Sequence, residues 1–160
     1  MSLNKLIRKI KSRGEVHPSI NKVGVGNRYD LFGYNGRCPY LWIINDEPHN
    51  MVWSEGNHSY NQIEYTLTLR VGDYVNNQVN VYEDLGENSN NELDVSSDTA
   101  WILSDIINIM TFDVGTFGDY VIEGDISIIP FFREEQGDLT GHEASVTFRT
   151  KLNPCATTIK

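Results

Sequence analysis

The chain has little of what most chemistry or export would need. Among 160 residues there are two cysteines, Cys38 and Cys155, far apart. Two thiols do not make a disulfide framework, so stability has to come from a packed core. Long apolar runs are also missing. No stretch approaches the roughly 20 residues that span a bilayer, and the basic start of residues 1–13 is not followed by the apolar segment of a signal peptide. The expectation is synthesis in the cytoplasm, with both thiols reduced and no membrane span.

Motifs that carry chemistry are equally scarce. The four histidines, His17, His49, His58 and His142, form no H-x-x-x-H pair and no Cys/His cluster of the kind zinc needs, and they read as surface or loop residues. Gly24-Val25-Gly26 lacks the third glycine of a dinucleotide fingerprint, because Tyr29 stands there, and no helix pattern follows; these glycines read as turn or bulge residues. Walker A and G-x-S-x-G patterns are absent. Cys38 precedes Pro39 with no histidine near it in sequence, so a buried thiol is the better reading than a nucleophile. Glu83/Asp84 and Glu134/Glu135 are adjacent acids in hydrophilic stretches, not two carboxylates held across a cleft. Asp73, Asp84, Asp94 and Asp98 do not follow EF-hand spacing. No catalytic residue, cofactor or metal is therefore expected, and the chain does not read as an enzyme.

What the sequence does hold is apolar material and an uneven charge. Seventeen aromatics (3 Trp, 8 Tyr, 6 Phe) supply large areas to bury, and the length suits one structural domain over 1–160. Net charge is -9, against wrapping nucleic acid with the whole surface. Residues 1–40 carry eight Lys/Arg against two acids, +6, which leaves -15 for the remainder. A basic end and an acidic body suit either two solvated surfaces or head-to-tail packing of identical subunits.

Periodicity gives the elements. Leu3, Leu6, Ile7 and Ile10 make one apolar stripe of a basic helix over 3–13, with Ser2 as N-cap and Gly14 as stop. Docking on its own core is preferred over a membrane surface, since the helix has no Trp or Phe. Short strands are expected at Val23–Gly26 and Arg28–Phe32, and a strand buried on both faces at Pro39–Asn45. Asn61–Val71 alternates strictly: Ile63, Tyr65, Leu67, Leu69 and Val71 on a buried face, Gln62, Glu64, Thr66, Thr68 and Arg70 on a wetter one.

Residues 86–91 read as an exposed loop, and a second helix starts near Ser96 or Ser97 with a wide apolar face that includes Trp101. Tyr120–Phe131 reads as one strand bulged at Gly124. Arg133–Gly141 reads as a linker, Ala144–Leu152 as the last strand, and 156–160 as a frayed tail. The fold class is α+β, a mainly antiparallel sheet flanked by two helices.

The order of signals resembles a known family. It is carried by the helix Leu3–Ile10, Ile20-Asn21-Lys22-Val23-Gly24-Val25-Gly26, Pro39-Tyr40-Leu41-Trp42-Ile43 and the strand through Leu67 and Leu69. Glu92-Leu93-Asp94-Val95-Ser96-Ser97-Asp98-Thr99, Pro130-Phe131-Phe132-Arg133-Glu134, Leu139-Thr140-Gly141 and Asn153-Pro154-Cys155 complete it. The pattern is similar to small neck or head–tail connector proteins of phages infecting Bacteroidetes, crAss-like phages among them, of tail-terminator and tail-completion type. The resemblance covers nearly the whole chain and rests on short strings. It departs at His142, where many members have an aromatic after the glycine that opens the final strand.

The resemblance implies a virion protein made in the host cytoplasm. It implies a homo-oligomeric ring, of 12 or 6 copies, beside a portal or another neck ring, with DNA passing through without sequence-specific binding. A ring needs two different faces of one subunit to meet. The candidate subunit contacts are Lys5, Arg8, Lys9 and Arg13 on the basic side and Glu134, Glu135 and Asp138 on the acidic side. Loops within 76–91 and 133–141 and the tail after Pro154 are further candidates.

Two other classes stay open. One is a carbohydrate- or receptor-binding module built on Tyr29, Phe32, Tyr34, Tyr40, Trp42, Trp53 and Tyr60, which serve equally as core and interface anchors. The other is a small hydrolase using Cys38 or an acidic pair.

Overall fold

The computed structural model describes residues 2–32, 36–54, 59–75, 91–134 and 139–151. In chain order these form α1 (Leu3–Val16), β1 (Lys22–Gly26), α2 (Arg28–Phe32), β2 (Tyr40–Ile44), β3 (His49–Ser54), β4 (Ser59–Tyr74), α3 (Glu92–Phe112), α4 (Val114–Phe117), β5 (Val121–Glu123), β6 (Ile128–Glu134) and β7 (Leu139–Lys151). The fold is α+β, with one mixed, mostly antiparallel seven-stranded sheet and several helices.

The spine of the sheet is the antiparallel pair β4 and β7, in register from Gln62↔Lys151 to Tyr74↔Leu139. Each spine strand is long enough to carry two short neighbours end to end. β3 pairs with the first half of β4 and β2 with the second. β6 pairs with the first half of β7 and β5 with the second. β1 adds to β2 in parallel, the one parallel pairing among the described strands.

One sheet face is covered by helices. Tyr65, Leu67, Leu69 and Val71 of β4, with Ala144, Val146 and Phe148 of β7, pack against Leu6 and Ile10 of α1 and Ile102, Leu103, Ile106 and Met110 of α3. This is the apolar face that the strict alternation of β4 predicts. The other face carries a smaller apolar cluster, Leu31, Tyr40, Trp42, Ile44 and Leu139. β2 is buried at all five positions because both of its faces have cover.

Several elements differ from the expectation, each for a local reason. Gly14 does not stop α1. It lies inside the helix, buried, where a Cβ would stand 2.7 Å from Leu41 Cδ2 and 2.9 Å from a Val23 methyl. The glycine lets the helix settle onto β1 and β2 instead of ending it. Residues 28–32 are a helix and not a strand. Asn27 Oδ1 accepts the Asp30 N–H at 2.8 Å and Asp30 Oδ2 accepts the Asn27 N–H at 3.0 Å, a reciprocal cap that outweighs weak strand propensity.

α3 begins four residues before Ser96, with Glu92 and Asp94 in its first turn, where the helix dipole favours acids. Residues 120–131 are two strands, separated where the chain leaves the sheet around Gly124, whose φ is +74°. β7 starts at Leu139, so the end of the expected linker is already strand. The expected wetter face of β4 is covered at Thr68 and Arg70, both 3% exposed. There the Phe131 ring of β6 lies 3.6 Å from the Arg70 guanidinium carbon. β3 carried no clear alternation and was not expected. Residues 76–90, the expected exposed loop within them, and the 152–160 tail with Cys155 lie outside the described residues.

Candidate interaction surfaces

The basic helix spends most of its charge on its own chain. Lys5 and Lys9 reach Asp119 at 3.8 and 3.7 Å, and Lys9 also donates to the Thr116 carbonyl. Arg13 pairs with Asp113 and donates to Thr116 Oγ1 at 2.7 Å. Thr116 donates to Asp113 in turn, and those bonds with the Arg13 guanidinium hold the Asp113 carboxyl below the usual carboxylate range. The loop after α3 is thus an acidic socket for α1. Of the four basic residues expected at a subunit contact, Lys5, Lys9 and Arg13 are drawn into this socket. Arg8 is exposed and makes no ion pair among the described residues. On the acidic side, Glu134 ends β6 opposite Leu139, while Glu135 and Asp138 lie outside the described residues.

The sheet face away from the helices is a polar grid. Thr66 faces Thr147 at 3.1 Å and Thr68 faces Ser145 at 3.4 Å. Arg149 grips Glu64 at 2.6 Å and reaches Glu123 at 3.2 Å, tying β4, β7 and β5. The Glu64 hydrogen bonds raise the Arg149 pKa further, against the cost of its desolvation. Glu143 accepts from Arg28 at 3.1 Å and pairs with buried Arg70 at 3.5 Å. These contacts cross strands and hold the sheet together. A cleft of about 480 Å³ beside Arg149, lined by Asp119, Glu123 and Lys151, is charged with both signs.

Of the expected chemical candidates, Cys38 and three of the four histidines lie among the described residues. Cys38 is half-buried, and burial with the nearby Asp73 charge pushes its thiol up to about 12. A thiol so disfavoured as thiolate is a poor nucleophile at neutral pH. Asp73 is itself raised, mainly by burial, with the Tyr74 N–H opposing and Asp98 adding. Two histidines depart from the surface reading. The His17 side chain is 7% exposed and lies 3.1 Å from Asp105, and His142 is buried under α3. His49 meets the Tyr65 ring edge-on at 5.2 Å, and His58 is outside the described residues. Among the described residues no three metal-ligating side chains come together.

Gly24 and Gly26 are strand residues. A Cβ at Gly24 would sit 2.1 Å from the Trp42 ring, so the position serves close packing and not a turn. Of the expected aromatic platform, Tyr40 and Trp42 are in the core while Tyr29 and Trp53 are exposed, so these four share no surface. Among the described residues no helix is long and apolar enough to cross a membrane.

Exposed apolar residues are spread over several elements, and α3 carries three of them, Leu93, Trp101 and Phe112. Trp101 points outward from α3, opposite its buried positions Ile102, Leu103 and Ile106, and Phe112 lies three turns on. Sequence periodicity placed Trp101 beside the buried stripe. Its i, i+11 spacing with Phe112 was the available signal for a second, outer stripe. No protein-family model matches the chain, and no curated protein is similar to it.

Proposed function

We propose that the chain is a structural subunit of a tailed-phage virion, one copy in a ring of the neck or head–tail connector, of tail-terminator type. The observation that carries the reading is the way charge is laid across the sheet. α1 packs on β1 and β2, at one edge, and α3 packs on β4, β7 and β6, toward the other. α1 holds five Lys/Arg and one acid, while α3 holds four acids and no Lys, Arg or His. Two neighbouring helices of unlike sign give the subunit two different charged patches, as a heterologous, closing interface requires.

The internal pairing of Lys5, Lys9 and Arg13 leaves for the basic side of that contact Arg8, Lys11, which among the described residues pairs only with Glu15 on its own helix, and the exposed Lys22 of β1. The whole-chain resemblance in element order supports the same reading. An acidic subunit is compatible with a channel through which DNA slides without sticking.

The test is electron microscopy of virions together with the native mass of the purified protein. Rings of 6 or 12 copies located at the neck are the expected result. A strictly monomeric protein absent from virions overturns the proposal.

A further inference from the structure

The outer side of α3 and the end of α1 frame a groove that the fold itself does not use. Arg13 of α1 reaches Asp113, and His17 just past its end reaches Asp105, so the two helices run antiparallel. Between them is a groove of about 490 Å³ walled by Val16, Pro18, Ile109 and Phe112. Arg13, His17, Asp105 and Asp113 also line it, and its apolar side chains are open: Val16 is 71% exposed, Phe112 76%, and Val114 just beyond it 73%. One turn past Asp105 the same side of α3 presents Trp101, 74% exposed. Val16 and Phe112 line the groove itself, and Trp101 stands apart from them along α3, beyond the exposed Asp105 and Asn108.

The charge around the groove says what fits it. Asp94, Asp98 and Asp105 are exposed along α3, and that helix contains no cation of its own. Arg13, the groove's guanidinium, is already bound to Asp113. A second copy of α3 would bring like charges together. A second copy of α1 would bring cations, but its outward side, Asn4, Arg8 and Ser12, has no apolar side chain to fill the groove.

We infer that this groove docks a basic amphipathic helix of a different protein, with aliphatic side chains seated between Val16 and Phe112 and against Trp101, and lysines or arginines flanking them over Asp98 and Asp105. The inference does not depend on ring formation. If the neck reading holds, it names the chemistry of the adjacent layer's contact, and the ring contact of Arg8, Lys11 and Lys22 then falls on acids other than Asp98 and Asp105.

The experiment uses the full chain and a synthetic 18-residue helix with leucines at i, i+3, i+4 and i+7 and lysines elsewhere. A second peptide has every lysine replaced by glutamate. Titration followed by calorimetry should show micromolar binding of the lysine peptide and none of the glutamate peptide. Phe112→Asp and Trp101→Ala, both at exposed positions, should each weaken it at least tenfold with the circular dichroism spectrum unchanged. Phe112→Asp makes the protein more acidic, so attraction by bulk charge alone would strengthen binding in that variant. Binding that is equal or tighter in Phe112→Asp, or equal for the two peptides, or absent, overturns the inference. A concentration-dependent rise in the protein's own mass that Phe112→Asp abolishes also overturns it, by giving the groove to a second copy.

Discussion

His142 of β7 and Thr99 of α3 share a hydrogen bond of 3.1 Å between Nδ1 and Oγ1, buried between sheet and helix. Thr99 gives its only hydroxyl proton to the Val95 carbonyl at 2.7 Å, so its oxygen must accept from the imidazole. That assigns the proton of neutral His142 to Nδ1. Thr99→Val keeps the shape and removes the acceptor, leaving a buried N–H unsatisfied. The expected loss is about 1–3 kcal/mol, read from urea unfolding at pH 7.5.

The same pair makes stability depend on pH. Burial holds the His142 pKa below its ordinary 6.5. The unfolded chain therefore takes up a proton that the native state resists. Stability is full above about pH 6.5 and falls as pH drops below it, by at most about 1.4 kcal/mol per pH unit from this group. The difference in unfolding free energy between pH 7.5 and pH 5 should shrink in His142→Gln. Asp113 acts lower down. Its depressed pKa stabilises the fold above about pH 3.8, and that contribution goes as pH falls through the native value.

Gly14→Ala sets two effects against each other. Alanine is the better helix former by about 1 kcal/mol. The added methyl would meet Leu41 and Val23 well inside contact distance. Overpacking of this kind costs about 1–3 kcal/mol, so the variant should be less stable than the parent by thermal or urea unfolding.

Ile10 is fully buried in the main core. Ile10→Ala should cost about 2–5 kcal/mol. The loss should be independent of protein concentration, because α1 docks on its own subunit. A loss that disappears at high concentration would instead place the helix in a subunit contact.

Cys38 should resist alkylation. With its thiol pushed up to about 12, iodoacetamide at pH 8 should modify it far more slowly in the native protein than in urea. Peptide mass spectrometry resolves Cys38 from Cys155.

Period-2 alternation made β4 legible, because one buried face against helices leaves a regular trace. The continuous apolarity of Tyr40–Ile44 made β2 legible for the complementary reason, cover on both faces. Arg70 broke the rule: a cation reads as wet, yet here a ring and Glu143 shelter it. Gly14 reads as a stop and residues 28–32 as a strand in the sequence because the first depends on what packs against it and the second on a reciprocal pair, Asn27 and Asp30, three residues apart. The outer stripe was harder still. Trp101 sits next to Ile102 in sequence, and only the direction of the core separates a buried tryptophan from one facing out.

The spine has a consequence for biosynthesis. β4 finds β7 only after a segment of more than sixty residues has been made, and β5 and β6 hang from β7 as well. On the ribosome, the chain up to residue 138 holds Leu67, Leu69 and Val71 on a strand with no partner along that side. Topologies dominated by such distant pairings fold slowly and expose strand edges while they wait. The thirteen residues of β7 therefore complete the sheet: until they emerge, β5 and β6 have no strand to pair with and one edge of β4 stays open.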